Sequence, residues 1–188
     1  MDYISSDYHL GHANIIKYCG RPFKDLNHMN HTIIKNHVAR IKSIDNFWHL
    51  GDFCFKNSSE IRGEGSRNSA EDWKALLTGN MVFIKGNHDR NNSLKTILFS
   101  CTIEFGGEQY FLVHRPQDCN PSYKINFVGH VHQRWKYRKY KETTLINVGI
   151  DVNDFMPKTI EETLKDYKKH IKNHRVEEYV LETEHNYA

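Results

Sequence analysis

Short apolar runs, each ended by glycine or by a cluster of polar side chains, recur along this chain and set its elements. The run Met81-Val82-Phe83-Ile84 is unbroken, the pattern of a strand buried on both faces. Comparable runs predict strands at residues 3–6, 47–50 and 126–128. Two hairpins follow the same logic, residues 101–105 with 109–113 across Gly106-Gly107-Glu108, and 134–140 with 144–148. Helical spacing governs other stretches. Met29, Ile33, Ile34, Val38 and Ile41 recur at three- and four-residue steps and predict a helix over 26–42. Shorter helices are predicted at 13–18, at 70–77 with Trp73, Leu76 and Leu77 inward, and at 93–99, with a charged amphipathic one at 159–171. Residues 56–69, rich in Asn, Ser, Gly and charge, read as a surface loop, either a connection or a lid. The chain from residue 174 reads as a frayed tail or a short edge strand.

Strands alternate with helices early and follow one another later, which predicts an α/β fold of two packed, mainly mixed sheets flanked by helices. At 188 residues a single domain is expected, with the motifs in residues 1–151 and a C-terminal helix and tail at 158–188. Polar, metal-competent residues stand where the apolar runs end: Asp7-x-His9, Gly51-Asp52, Gly86-Asn87-His88-Asp89, His114 and Gly129-His130-Val131-His132. One such turn is an ordinary polar turn; five in order describe one site assembled from several strand ends, where ligands bind in α/β sheets. Period two in an extended chain would put Asp7 with His9, and His130 with His132, on common faces.

Composition adds two facts. Lys and Arg number 26 against 23 Asp and Glu, and this net charge of +3 is too small to mark a nucleic-acid binder by itself. Thirteen histidines are more telling, since neutral imidazole is the commonest metal ligand. Cys19, Cys54, Cys101 and Cys119 form no CxxC pair, so free thiols in a reducing compartment are expected, Cys54 as a packed one. Six residues precede Asp7, so no signal peptide is expected ahead of the first motif, and no run of about 18 apolar residues exists. The expectation is a cytoplasmic protein without a membrane partner; the oligomeric state stays open.

The chemistry of Asp and His without nearby thiolates suits Mn, Fe or Zn in an open site better than a closed structural zinc. The ordered motif set resembles the calcineurin-like metallophosphoesterase superfamily from Asp7 to about Asp151. Ser6-Asp7-Tyr8-His9-Leu10-Gly11-His12-Ala13-Asn14-Ile15 and Asn147-Val148-Gly149-Ile150-Asp151 further resemble its small, single-domain bacterial and phage members. The resemblance implies two divalent metal ions, Mn2+ first, with Fe, Zn and Ni also able to take these ligands. Asp7, His9 and His132 would hold one ion, Asn87, His114 and His130 the other, and Asp52 would bridge them. His88 would face substrate and protonate the leaving oxygen, with Asp89 orienting its ring. The implied reaction is hydrolysis of a phosphodiester or phosphomonoester by a hydroxide bridging the ions, on a small phosphorylated substrate such as a nucleotide or cyclic nucleotide.

Four further residues are candidates for binding substrate. His12 stands near a predicted helix start and either meets phosphate or caps the helix. Arg21, Arg90 and Arg115 are either phosphate clamps or surface charges. Residues 134–141 interleave bases with aromatics; they read first as a hairpin strand and alternatively as a platform for nucleobases. Two rival functions follow, a nuclease or non-catalytic binder of DNA or RNA resting on that strand, and a metal-binding scaffold for a protein partner. The intact ligand set and His88 count against the scaffold.

Overall fold

The computed structural model describes residues 1–55, 69–90, 94–95 and 98–180. In chain order they form β1 (Asp2–Ser5), α1 (Asn14–Tyr18), α2 (Leu26–Arg40), β2 (Asn46–Leu50), α3 (Ala70–Lys74), β3 (Asn80–Ile84) and β4 (Ser100–Phe105). β5 (Glu108–Val113), β6 (Ile125–Val128), β7 (Tyr137–Tyr140), β8 (Thr143–Asn147), β9 (Lys158–Thr159) and α4 (Ile160–Asn173) complete the set. The strands make two mixed sheets. One runs β3-β2-β1-β9, parallel except for β9; the other runs β4-β5-β6-β8-β7, with antiparallel pairs at both edges and parallel pairs between.

Alternation along the first sheet explains how the layers assemble. Tyr3, Phe47 and Phe83 face a helical layer in which Leu26, Met29, Ile33, Ile41 and Trp73 are buried. Ile4, Leu50 and Ile84 face the other way, onto Leu112, Phe127 and Ile146 of the second sheet. The apolar run of β3 is thus divided between two cores, as a strand covered on both faces requires. Beyond α4's first turn, Leu164 and Tyr167 pack on the same inter-sheet core. That turn is fixed by a capping box: the Thr159 hydroxyl accepts the Glu162 N–H at 3.0 Å, and the Glu162 carboxylate accepts the Thr159 N–H at 2.8 Å.

The predicted elements differ from the observed ones in particulars. α3 stops at Lys74, because Ala75, Leu76 and Leu77 continue as tight turns rather than a helix. The expected helix over 93–99 falls partly outside the described residues, and Leu94, Lys95, Leu98 and Phe99, which lie within them, carry none. The loop at 56–69 lies outside them as well, save Ser69, which caps α3. β7 begins only at Tyr137, since Arg134 to Lys136 follow a turn after the last motif. The tail resolves in favour of an edge pairing: Glu178 bridges Lys139 and Tyr179 is buried against the outer face of the second sheet. All four cysteines are free, Cys54 buried and the others half-buried. Among the described residues no helix is long and apolar enough to cross a membrane.

Candidate metal centre

Parallel pairing of β1, β2 and β3 sets their carboxyl ends side by side, so Asp7-x-His9, Gly51-Asp52 and Gly86-Asn87-His88 leave the sheet together. β5 and β6, also parallel, bring His114 and the 129–132 motif to the same edge. Backbone hydrogen bonds join the turns: Asp7 N–H to Gly51 O at 3.0 Å, His9 N–H to Asp52 O at 3.0 Å and Gly129 N–H to His114 O at 2.9 Å. Gly51 adopts φ +88°, and a Cβ there would stand 2.6 Å from His114 Nδ1 and 2.7 Å from the Gly86 backbone. This close approach of three turns needs glycine.

The paired ligands are not on extended backbone. Asp7 (φ 59°), His9 (50°), Asp52 (56°), His130 (72°) and His132 (46°) all lie in the left-handed region. Period two therefore does not align them; successive tight turns do, each unfavourable by roughly 1–2 kcal/mol for a residue with a Cβ. The hydrogen bonds that hold the turns include the His130 N–H to the Asp7 carboxylate, at 3.1 Å and 3.0 Å to its two oxygens.

The side chains converge on two sets. Asp7, His9 and His132 bring one ligand atom each within 4.8 Å of one another, and so do Asp52, His114 and His130. Asp52 stands between them, its Oδ2 3.6 Å from His9 Nε2 and 3.4 Å from His114 Nε2. Asn87 Oδ1 lies 2.9 Å from His114 Nε2. His9 is buried, yet its Nε2 has no hydrogen-bond partner, the 3.6 Å to Asp52 being too long. An orphaned imidazole nitrogen facing a buried carboxylate is what a divalent cation would satisfy, so the donor set fits the implied ions.

Electrostatics divide these groups. Burial holds His9 well below the usual imidazole range and pushes His130 down to about 3, the latter with help from His114. Burial also opposes charge on His114 and His132, but Asp52 outweighs it at His114, which rises to about 9. Asp151, Cys19 and Asp7 together outweigh it at His132, which rises to about 10. Asp52 resists its own burial through His114 and stays well below the usual carboxylate range, whereas burial raises Asp7.

Partners behind the ligands fix their orientation. His114 Nδ1 donates to Leu50 O at 2.7 Å and His132 Nδ1 to Asp151 Oδ2 at 3.0 Å, which leaves each Nε2 for the site. The Ser6 hydroxyl donates to Asp7 Oδ2 at 2.5 Å, and Asn147 donates to His132 O at 2.7 Å. Sequence reasoning gave Ser6, Asn147 and Asp151 no role. Asp151 carried the available signal, a carboxylate just past an apolar run and Gly149, like the motifs before it.

The remaining candidates have definite places. Arg21 is buried; its guanidinium binds both Asp151 oxygens at 2.8 and 2.9 Å and donates to Asp7 O and Tyr8 O at 2.7 and 3.1 Å. It organises the Asp7 turn from behind and is turned away from the role of phosphate clamp. Asp89 is buried too, and accepts the N–H groups of Asp52 (2.7 Å), Gly86 (2.8 Å) and Phe53 (3.0 Å). Both its oxygens accept from backbone donors, so it holds two turns together. His88 is 41 % exposed at its side chain, its Nε2 4.0 Å from Asp52 Oδ2. His12 lies stacked on Phe55 at 3.8 Å between ring centres and lines the pocket, where burial lowers it to about 4. Arg115 borders a separate hollow beside His114, with Lys85. The Arg90 side chain lies outside the described residues.

The pocket over the ligands has a volume of about 140 Å3 and is bordered by His12, Tyr18, Cys19, His88, Gln133 and Arg134. That is below the ~300–1,000 Å3 of sites that enclose a whole small molecule.

The chain resembles known proteins over most of its length. The chain is 33 % identical over 171 residues to an uncharacterized protein of Methanocaldococcus jannaschii, covering 87 % of this chain and 89 % of that one. It also superposes on the crystal structure of a protein of unknown function from Aquifex aeolicus with a TM-score of 0.67 at 25 % identity, over 88 % of this chain and 98 % of the other. Residues 4–160 match the family model of the calcineurin-like phosphoesterase superfamily domain. With a domain match over most of its length and its metal-competent residues gathered at one sheet edge, the chain belongs to the calcineurin-like phosphoesterase superfamily.

Proposed function

We propose that this protein is a two-metal phosphodiesterase acting on a nucleotide-like ester. The observation that carries this reading is the orphaned His9 Nε2 facing Asp52 between two sets of ligand side chains. Asp7, His9 and His132 would hold one ion and Asn87, His114 and His130 the other, with Asp52 shared. Bound divalent ions supply a water activated at neutral pH and neutralise charge on the phosphoryl group. Mn2+ is the first ion to test, followed by Fe, Zn and Ni.

The chain's own residues supply the rest. The Asp52 Oδ1 accepts the His88 N–H at 2.9 Å, so the backbone that carries the acid is tied to the shared carboxylate. His88, half-open to the pocket, hands its Nε2 proton to the leaving oxygen. A diester is favoured because its leaving alkoxide gains most from that proton. Tyr18, 64 % exposed at the pocket rim, offers a ring face to a base or other flat group.

The experiment is hydrolysis of bis(p-nitrophenyl) phosphate and p-nitrophenyl phosphate by metal-stripped protein with Mn2+ added back. Metal-dependent diester cleavage is expected, with kcat reduced ~10²–10⁴-fold in His88→Ala. Full activity in folded His88→Ala or Asn87→Ala would overturn the assignment, and a monoester preference would overturn the diester choice.

A further inference from the structure

The metal pocket shares a lining residue with a second hollow, which in turn shares lining residues with a third. Arg134 borders both the pocket and a hollow of about 430 Å3; His174, Arg175 and Val176 border that hollow and a third of about 470 Å3, which Lys139 and Lys141 also line. Along this track stand Arg134, Lys136, Arg138, Lys139, Lys141 and Arg175, against Glu177 and Glu178. Six cations and two carboxylates leave a net +4 where the whole chain carries only +3, so the rest of the molecule is net −1. The charge is crowded. Burial and the neighbouring Lys158 hold Lys136 below the usual lysine range, although both lysines share Asp166.

The aromatic side chains of this strand do not form an open platform. Tyr137 is buried against Tyr167 and His170, and Trp135 packs on Tyr179 at 5.7 Å with Arg138 over its ring. Arg134, Lys141 and Arg175 are exposed, while Lys136, Lys139 and Arg138 are half-buried, Arg138 paired with the exposed Glu177 at 2.9 Å. The metal pocket admits little more than a phosphoryl group, so any larger substrate must run over its rim, and Arg134 marks the rim at which the basic track begins.

We propose that this track binds a single strand of nucleic acid through its phosphates, with one phosphodiester of the strand entering the metal pocket. The entry step rests on the diester hydrolysis proposed above; the binding does not. With the rings packed away, recognition is by backbone charge, so affinity is indifferent to base sequence and falls steeply with salt.

The test uses the full chain in EDTA and a fluorescent single-stranded oligonucleotide of about twelve residues, read by anisotropy across a salt series. Arg175→Glu combined with Lys141→Asn removes two contacts far from the ligands, and asparagine tolerates the left-handed backbone at Lys141 (φ 53°). Binding is expected to weaken at least ~10-fold at about 50 mM salt, with the slope of log affinity against log salt reduced by about 1.4. Hydrolysis of bis(p-nitrophenyl) phosphate by the same variant with Mn2+ should be unchanged. No binding, or binding untouched by the two substitutions, overturns the inference even if the small diester is cleaved. Failure to cleave that diester while the oligonucleotide binds as described overturns the proposed function and leaves the track. Displacement by inorganic polyphosphate at a lower phosphate concentration than unlabelled oligonucleotide overturns the nucleic-acid identity of the ligand.

Discussion

Asp89→Ala distinguishes a carboxylate that holds backbone from one that tunes an acid. In the structure both oxygens accept buried N–H groups, those of Asp52, Gly86 and Phe53, at 2.7 to 3.0 Å. Hydrogen bonds to a charged acceptor contribute about 1.5–3 kcal/mol each, and leaving a buried donor unmet costs a further ~1–3 kcal/mol. Two effects offset this: burial raises the Asp89 carboxyl above its ordinary range, and Asp52 raises it further, so the ionised form is partly penalised where it stands. A net loss of ~3–5 kcal/mol follows, the range for unpairing buried charged networks. At ~2–4 °C per kcal/mol for a chain of this size, Tm should fall by roughly 6–20 °C. Asp89→Asn keeps one accepting oxygen and should lose about half as much. Thermal unfolding by circular dichroism measures both, and the chromogenic diester assay at a temperature where each variant is folded measures what the Asp52 turn contributes. The reasoning fails if Asp89→Asn melts like the parent while the alkaline limb of its pH–rate profile, where a general acid loses its proton, moves, since that is the signature of a ring orienter.

Other outcomes follow from the same geometry. His49 is fully buried among Tyr8, Phe47, Phe53 and Phe83 with no partner for either ring nitrogen, and burial lowers it to about 3. Its neutral ring favours the folded state fully above pH 6.5, and that contribution falls as pH drops toward 3, by ~2 kcal/mol at pH 5. His49→Phe should therefore match the parent at pH 7 and lose less between pH 7 and 5 in urea titrations; equal losses would refute this. Asp151→Asn weakens the hold on His132 and on Arg21, and should reduce Mn2+ affinity ~10–100-fold by calorimetry; an unchanged affinity would show that His132 needs no such support. Adding Mn2+ to ~100 times its Kd should stabilise the stripped protein by ~2.7 kcal/mol, and a melting temperature blind to the metal would argue against a folded-state site.

What could be read in the sequence was whatever depended on pattern. Two sheets followed from the spacing of apolar runs, and the gathering of Asp7, Asp52, His114 and His130 followed from their standing where such runs end. What could not be read depended on which polar partner a side chain chooses. Arg21 and Asp89 have the right charge and neighbours to meet a substrate, yet Arg21 finds Asp151 across 130 positions and Asp89 finds N–H groups of the Asp52 turn, and both turn inward. Residues 134–141 misled differently: alternation suggested aromatic rings on one face, but Tyr137 packs against α4 in the inter-sheet core while Trp135 and Tyr140 pack with Tyr179 on the outer face.

Left-handed backbone at five of the seven implied ligands has a consequence for mutational scanning. At ordinary positions glycine is the harsher replacement and alanine the milder. At Asp7, His9, Asp52, His130 and His132 the ranking of folding stability should invert, because glycine relaxes the turn that alanine would still strain. A scan in which glycine variants at these five positions melt above their alanine counterparts would mark the ligand turns by backbone shape alone, before any metal or substrate is added.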